Sequence, residues 1–514
     1  MPSPASPAPA LVTPALAATL DTAALDGPLL ADLRATLEAT DYTVDRVVAA
    51  MGATPHAALA RNQTVPAERA LDGRDDPLAT VIRLWPLQRP VARTSVEAAL
   101  PGLLEPLLRA GILTESGGSV TATVDLRPYA TDDADFWVFS DLTPGLDGHV
   151  APMRPDWVLG LSSASSTLAQ LTVRRPVGSA LDLGTGCGVQ TLHLAAHAET
   201  LTATDVNSRA LELAAATLTL NGVNAELLDG SLYAPVRGRR FDLITTNPPY
   251  VMSPPRAGEA RLAYRETGYA GDELMEHLVR HAVDHLNPDG TCQILGNWAH
   301  RAGQPWDERL AGWVAGTGLD AHVVQREVLE VPEYVELWLA DAGLSGSPDY
   351  RHRYAEWLDY FAGLGIEAVG MGWLLLTRAG RDDPWLRLED WPYAVEQPIA
   401  PAFAAEAGWI SDSRLPDAAL LSRAWTLTGD VVEETTGQPG AADPQHIVLR
   451  QQRGFRRAVD ADTALAGVLG ACDGDLPLGA IVDALADLLA VDAQALRADI
   501  LPRFRTLVAD GWFG

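Results

Sequence analysis

Between residues 178 and 300 the chain alternates short apolar runs with stretches of helical period. "SALDL" (179–183), "LTATD" (201–205), "AELL" (225–228), "FDLITT" (241–246) and "GTCQILGN" (290–297) have the length of short strands, the last following a turn at Asn287 to Gly290. "VQTLHLAAHA" (189–198), "SRALELAAATLTL" (208–220) and "GDELMEHLVRHAVDHL" (271–286) repeat apolar residues every three or four positions, and Asn221-Gly222 stops the second of these. Strands alternating with helices predict a doubly wound, Rossmann-like α/β sheet that binds ligands at the carboxyl ends of its strands. "DAHVVQREVL" (320–329) and "IEAVGMGWLLLTRA" (366–379) predict a closing strand pair, with a helical insertion near 332–364 between them.

The flanks read differently. Residues 1–20 are rich in Pro and Ala and predict a disordered tail. Residues 21–150 are mostly helical in pattern. There "TSVEAALPGLLEPLLRAGIL" predicts a helix ending near Gly111 and "ILTESGGSVTATVDLRPY" a hairpin at Gly117-Gly118. Helices followed by a hairpin predict a winged-helix-like accessory module. Its 94–129 segment holds only Arg109 and Arg127 as basic residues, so packing or substrate selection fits it better than reading DNA. Residues 151–380 form the predicted α/β domain. Beyond them, "DDPWLRLEDWPYAVEQPIAP" reads as loop, "HIVLRQQRGFRRAVD" as a hairpin turning at Gly454, and 478–513 as helices. The region 381–514 is therefore a mostly helical accessory module.

Composition narrows the setting. The net charge of −29 argues against a protein that coats nucleic acid nonspecifically, although a local basic groove remains compatible with it. All 38 basic residues are arginine, which suggests a GC-rich bacterial source. Three distant cysteines give neither a disulfide framework nor zinc spacing. No apolar run is long enough to span a membrane, and the N-terminus lacks the basic start of a signal peptide. A cytoplasmic protein with no membrane partner and no metal is expected.

The chemistry concentrates at strand ends. "DLGTGCG" (182–188) joins a strand to a helix with three alternate glycines, a turn that lets backbone approach a ligand at a helix N-terminus. Val189 stands where a dinucleotide fingerprint requires Gly or Ala, which argues against a nucleotide-dependent oxidoreductase. Asp205 ends the next strand, where a carboxylate accepts ribose hydroxyls. Asp229 ends the third, and Asn207 is placed to cap the helix after Asp205. The fourth strand ends abruptly in "NPPY" (247–250), because proline cannot donate to a ladder.

Together the glycine loop, Asp205, Asp229 and "NPPY" resemble the class I S-adenosylmethionine-dependent methyltransferases. They are closest to the branch that methylates planar nitrogens, which includes release-factor glutamine methyltransferases and N6-adenine methyltransferases. The resemblance covers roughly residues 158–379. It implies a seven-stranded sheet and S-adenosylmethionine as cofactor. It also implies that Asp182, Gly184, Gly186 and Gly188 line the methionine part, that Asp205 takes the ribose and that Asp229 lies by the adenine. Thr167 falls in the segment that covers the cofactor in such enzymes.

A planar NH₂ donates two hydrogen bonds. The Asn247 side-chain oxygen can accept one and the Pro248 carbonyl the other, while Tyr250 stacks on the flat acceptor. Such placement turns the nitrogen lone pair toward the sulfonium methyl, and no strong base is required. Consistently, no Asp or Glu lies between Asp242 and Glu259. Arg261 and Arg265, in the arginine-bearing segment that follows with Arg256, are candidates to hold substrate phosphate or carboxylate. Protein glutamine, an RNA or DNA base amine and a small metabolite remain open as acceptors, in that order. Thr245 departs from the apolar residue favoured before the Asn of DNA-specific motifs.

Overall fold

A computed structural model of the chain describes residues 20–131, 134–148, 154–249, 251–255, 268–439 and 444–514. Its centre is one sheet of β1 (Val177–Leu183), β2 (Ala198–Asp205), β3 (Glu226–Asp229), β4 (Phe241–Thr246), β5 (Leu286–Arg301), β6 (Asp320–Glu330), β7 (Ile366–Thr377) and β8 (Leu386–Asp390), in the order β8-β6-β7-β5-β4-β1-β2-β3. The strands β1 to β5 are parallel, and β7 inserts antiparallel between β5 and β6. The order therefore reverses at β1, which sets β1 and β4 side by side and places their carboxyl ends at the switch point.

Helices cover both faces. They are α1 (Ser163–Leu171), α2 (Val189–Leu194), α3 (Ser208–Leu220), α4 (Glu273–His285), α5 (Trp306–Val314), α6 (Val331–Asp341) and α7 (Tyr350–Gly363). The predicted insertion is α6 and α7, which close a core around Tyr334, Trp357 and Phe361.

Four expectations need correction. The sheet has eight strands, because β8 arises in the segment read as loop and pairs parallel with β6. "LRLED" offers only two apolar positions, and edge pairing with Val323 and Val324 makes it a strand. The helix expected from Thr94 to near Gly111 is two, Arg93–Ala99 and Leu104–Arg109, interrupted where Pro101 is followed by Gly102 at φ +77°. The helix α2 ends at Leu194, earlier than its pattern suggests, because β2 already begins at Ala198. The turn expected at 287–290 lies within β5 as an irregularity of register between Leu286 and Thr291.

The N-terminal hairpin forms as expected, Leu113–Ser116 against Ser119–Ala122, with Val91–Ala92 as a third strand. A second hairpin, Val124–Ala130 with Asp135–Asp141, reaches the central domain. There Phe139 N–H donates to Thr217 Oγ1 and Trp137 N–H to Asn221 Oδ1, both at 3.0 Å. One core joins Leu33, Trp85 and Phe139 to Val189, Leu192, Leu213 and Leu220 of α2 and α3. The N-terminal module thus packs on the two helices that follow the glycine loop and Asp205.

The C-terminal module has its own core around Trp425, Phe504 and Trp512. Its hairpin turns at Gly454, as the sequence suggests, between His446–Gln451 and Ala458–Ala461. A buried charged cluster ties it to the sheet. His322 on β6 bonds Glu406 (2.5 Å) on helix Ala400–Ser413 and Glu389 (2.7 Å) on β8. Glu389 also accepts from Arg457, and Arg387 pairs with Asp510.

Burial alone would push the His322 pKa down, but the two carboxylates outweigh it and hold it above the ordinary value. A raised histidine contributes stability that is complete below the unfolded pKa, about 6.5, and is lost as pH rises through the folded value. Thermal scans from pH 6 to 9 are expected to show Tm falling on the alkaline side. His322→Gln is expected to lower Tm at pH 6 and flatten that slope.

Candidate active site

Every β-strand from β1 to β4 ends at the same edge, and each end contributes a polar group. After β1 the chain turns through Gly184, Gly186 and Gly188 at φ +81°, +55° and +88°. A side chain at Gly188 would press on the α3 backbone, 3.4 Å from Ala214 Cα, which explains that glycine by packing. At Gly184 and Gly186 an added Cβ would meet nothing within 4 Å, so these two border open space. The loop is moored to β2, with Gly184 and Thr185 N–H both donating to Thr204 O at 2.9 Å.

Asp182 is buried beneath the loop. Its Oδ2 accepts from Thr185 Oγ1 and Thr191 Oγ1, both at 2.7 Å, which ties the glycine turn to the first turn of α2. Burial raises its pKa to about 6. Asp182 therefore shapes the loop from below.

Asp205 closes β2. Its two oxygens accept from Gly186 N–H and Asn207 N–H, each at 2.9 Å. Burial, with Asp229 adding to it, raises its pKa from the ordinary value. Asp229 stands in register beside Asp205 across the β2–β3 pair and is exposed. Asn207 caps α3 as expected, accepting from Arg209 N–H.

At the end of β4, Asn247 presents a side-chain oxygen that is shielded from solvent and has no hydrogen-bond partner among the described residues. Pro248 is buried. Tyr250, Arg256, Arg261 and Arg265 lie outside the described residues. Thr167 sits half-buried on α1, whose N-terminal capping box joins Ser162 and Ser165. Gln190 Nε2 of α2 donates to Ser165 O at 2.7 Å, holding α1 against the glycine loop.

Cys187, Trp298 and His285 take structural places. Cys187 is buried, and burial pushes its thiol up to about 12, as suits a small filler. Trp298 is a core residue whose indole N–H donates to Gln325 Oε1 (2.9 Å). His285 bonds Arg239 O and stacks on Tyr233. Among the described residues no group of three or more His, Cys, Asp or Glu is gathered as a metal site. Arg239 and Arg240 bond Thr202 Oγ1 and the carbonyls of Val283 and Leu286, which makes them structural.

Sequence reasoning missed Thr185, Thr191, Gln190 and Arg209. Thr185 lies within the glycine loop and Thr191 just after it, and both carry a readable signal, hydroxyls three and nine residues after Asp182. Gln190 and Arg209 depend on partners distant in sequence.

The described groups fit S-adenosylmethionine: open backbone at Gly184 and Gly186 and a carboxylate at Asp205. The fold and this site define an S-adenosylmethionine-dependent methyltransferase domain with a Rossmann-like sheet. Residues 160–308 match the family described as Methyltransferase small domain. Residues 39–123 match a Domain of unknown function (DUF7059).

Among curated relatives, the Ribosomal RNA small subunit methyltransferase C of Salmonella arizonae is 32% identical over 140 residues, 27% of this chain and 36% of the relative. That of Salmonella newport is 33% identical over the same shares. The chain thus spans little more than a third of the length of these relatives. Solved structures that resemble it include an rRNA methylase from Streptococcus thermophilus (15% identity, 44% of this chain and 98% of that one, TM-score 0.24). Another is a 16S rRNA N2 G1207 methyltransferase from T. thermophilus (16% identity, 42% and 56%, TM-score 0.25).

If Asp205 accepts the ribose hydroxyls, Asp205→Ala is expected to weaken S-adenosylmethionine binding by about 1–3 kcal/mol, the range for a hydrogen bond to a charged group. Because its pKa is raised, the accepting carboxylate is lost as pH falls, so wild-type affinity should decline on acidification. Calorimetry at pH 7.5 and 5.5 checks both, and the variant should show the smaller pH effect.

Proposed function

We propose that this chain transfers a methyl group from S-adenosylmethionine to an exocyclic amino nitrogen of a base in small-subunit ribosomal RNA. The observation that carries the reading is the buried, unpartnered oxygen of Asn247 at the end of β4. An acceptor left unsatisfied inside a protein costs about 1–3 kcal/mol, and an entering N–H recovers it. The curated relatives, named for ribosomal RNA, favour RNA over a protein glutamine among the acceptors.

When bound, S-adenosylmethionine supplies an electrophilic methyl group on its sulfonium. The chain supplies orientation. Asn247 Oδ1 accepts one N–H of the amino group and the Pro248 carbonyl the other, which turns the nitrogen lone pair toward the methyl. The same acceptors stabilise the positive charge that grows on nitrogen, and the surplus proton leaves to water after transfer. Tyr250 stacks on the base, and Arg261 and Arg265 bind backbone phosphate. A cytoplasmic location accords with this substrate, and no helix among the described residues is long and apolar enough to cross a membrane.

The test is transfer of labelled methyl to an unmodified small-subunit rRNA transcript, followed by nucleoside analysis. Label on a base amino group supports the reading. Label in protein and none in RNA would move the acceptor to an amide side chain.

A further inference from the structure

The carboxyl edge of the sheet continues past the strands that carry the cofactor groups. Thr246 of β4 is in register with Ile294, Ile294 with Leu374, Leu374 with Val323, and Val323 with Leu388 of β8. Strands β4 and β8 therefore end at one edge, within two residues of the same height and four strand spacings, about 19 Å, apart. Beyond β8 the chain runs through Trp391 and Tyr393. Arg326 of β6 pins this segment, donating to Trp391 O and to Tyr393 O (2.8 Å). The hairpin turn at Gly454 seats on it. Glu396 N–H donates to Gly454 O (2.8 Å), and the Arg457 guanidinium lies 4.8 Å from the ring centres of both Trp391 and Phe455. The core that takes Phe455 and Trp391 also takes Leu168 and Leu171 of α1, the helix held against the glycine loop.

This surface departs from the acidic character of the chain. Tyr393 is 64% exposed although its backbone is pinned. Arg453 and Arg456 flank the Gly454-Phe455 turn, are exposed, and pair with no carboxylate among the described residues. Arg326 meets only carbonyls and the Trp373 ring. The neighbouring carboxylates are engaged. Glu389 is held by His322 and Arg457, Glu396 by Gly454 N–H (2.9 Å), Asp430 by Arg453 N–H (3.0 Å) and Asp390 by Gln325 Nε2 (3.3 Å). Burying Tyr393 would stabilise the fold, and the fold instead holds it out beside unpaired guanidinium groups.

We propose that Tyr393, Arg453 and Arg456 form a docking surface for single-stranded RNA, which grips the strand flanking the base that enters at Asn247. This rests on the functional reading above and adds the place where the substrate is held. An unstacked base lies on the tyrosine ring while the arginines take the adjoining phosphates. A few nucleotides of extended strand span the distance to the end of β4. Duplex RNA is a poor occupant, because its bases are already stacked and offer no face to Tyr393.

The experiment measures binding of a fluorescent oligouridylate, its duplex with oligoadenylate and the unmodified small-subunit rRNA transcript to the full chain saturated with S-adenosylhomocysteine, at several salt concentrations. Tyr393→Ala is expected to weaken oligouridylate and transcript binding by at least about fivefold, the lower bound for one base stacked on an aromatic ring. Tyr393→Phe keeps the ring and should bind as the wild type does. The double variant Arg453→Gln with Arg456→Gln is expected to flatten the slope of log affinity against log salt by about 1.4, the value for two phosphate contacts on a single strand. Tm and S-adenosylhomocysteine affinity should match the wild type in all three, because the altered side chains are exposed.

Equal RNA affinity in the wild type and Tyr393→Ala, an unchanged salt slope in the arginine variant, or tighter binding of the duplex than of the single strand would overturn the assignment. So would binding to ribonuclease-treated small ribosomal subunits that falls in Tyr393→Ala while oligouridylate binding does not, which would give the surface to a protein. The transcript methylation assay decides the functional reading separately. Transfer to the transcript with RNA affinity unaltered in the variants leaves that reading standing and removes this surface. RNA affinity that needs Tyr393, without transfer to RNA, does the reverse.

Discussion

Replacing Asn247 with Ala is expected to slow methyl transfer by about 10² or more, the usual loss when one preorganised polar contact to the transition state is removed. S-adenosylmethionine affinity should change by less than about threefold, since the lost interaction is made by the acceptor. Asn247→Asp keeps an oxygen acceptor of nearly the same shape, so part of the rate should survive. Its negative charge beside a sulfonium should tighten cofactor binding at the same time. If the tetrapeptide were only a strand-ending turn, both variants would lower Tm, and activity would fall only with the folded fraction. Melting temperature, cofactor affinity and single-turnover rate on the three proteins separate these patterns.

The second large effect is expected from the ion pair between Asp141 and Arg209. Both side chains are buried, and Arg209 Nε lies 3.0 Å from each Asp141 oxygen. Asp141 ends the second N-terminal hairpin and also accepts from Val158 N–H (2.8 Å). Arg209 stands in the first turn of α3, immediately after the Asp205–Asn207 turn, and Asn207 Nδ2 donates to Asp156 O.

Asp141→Ala leaves an uncompensated buried guanidinium and is expected to cost about 3–5 kcal/mol of stability. S-adenosylmethionine affinity should fall with it, because the turn presenting Asp205 loses its brace. The double variant Asp141→Leu with Arg209→Met should be more stable than Asp141→Ala, since neither charge is then stranded. Denaturant unfolding with cofactor titration checks both statements.

The legible parts of this protein are those whose signals are local. Strands β1, β2 and β4, helix α3 with its Asn207 cap, the hairpin at Gly117-Gly118 and the one at Gly454 follow from period, capping and turn residues within a few positions. The glycine loop and Asp205 were legible because a ligand-approaching turn needs glycine and a strand-end carboxylate. What stayed hidden depends on distant partners. β8 is a strand only because β6 lies beside it, and Arg209 is buried only because Asp141 arrives from 68 residues upstream. Asn297 reads in the sequence as the end of an apolar strand, and its bond to Tyr334 depends on an insertion whose sequence announces only helices.

The packing also changes the reading of the accessory modules. The N-terminal module shares a core with α2 and α3, so it supports the cofactor half directly. The C-terminal module meets the far side of the sheet through His322, Glu389 and Arg457. Any part they take in choosing the substrate is exercised through a domain they also stabilise.

The central claim is tested most directly by single-turnover transfer from labelled S-adenosylmethionine to an unmodified small-subunit rRNA transcript, run with the full-length wild type and Asn247→Ala side by side. The account predicts label on a base amino nitrogen with the wild type, and a rate lower by about 10² with the folded, cofactor-binding variant. Equal rates from the two proteins, or a wild type that shows no heat of binding with S-adenosylmethionine, would contradict it.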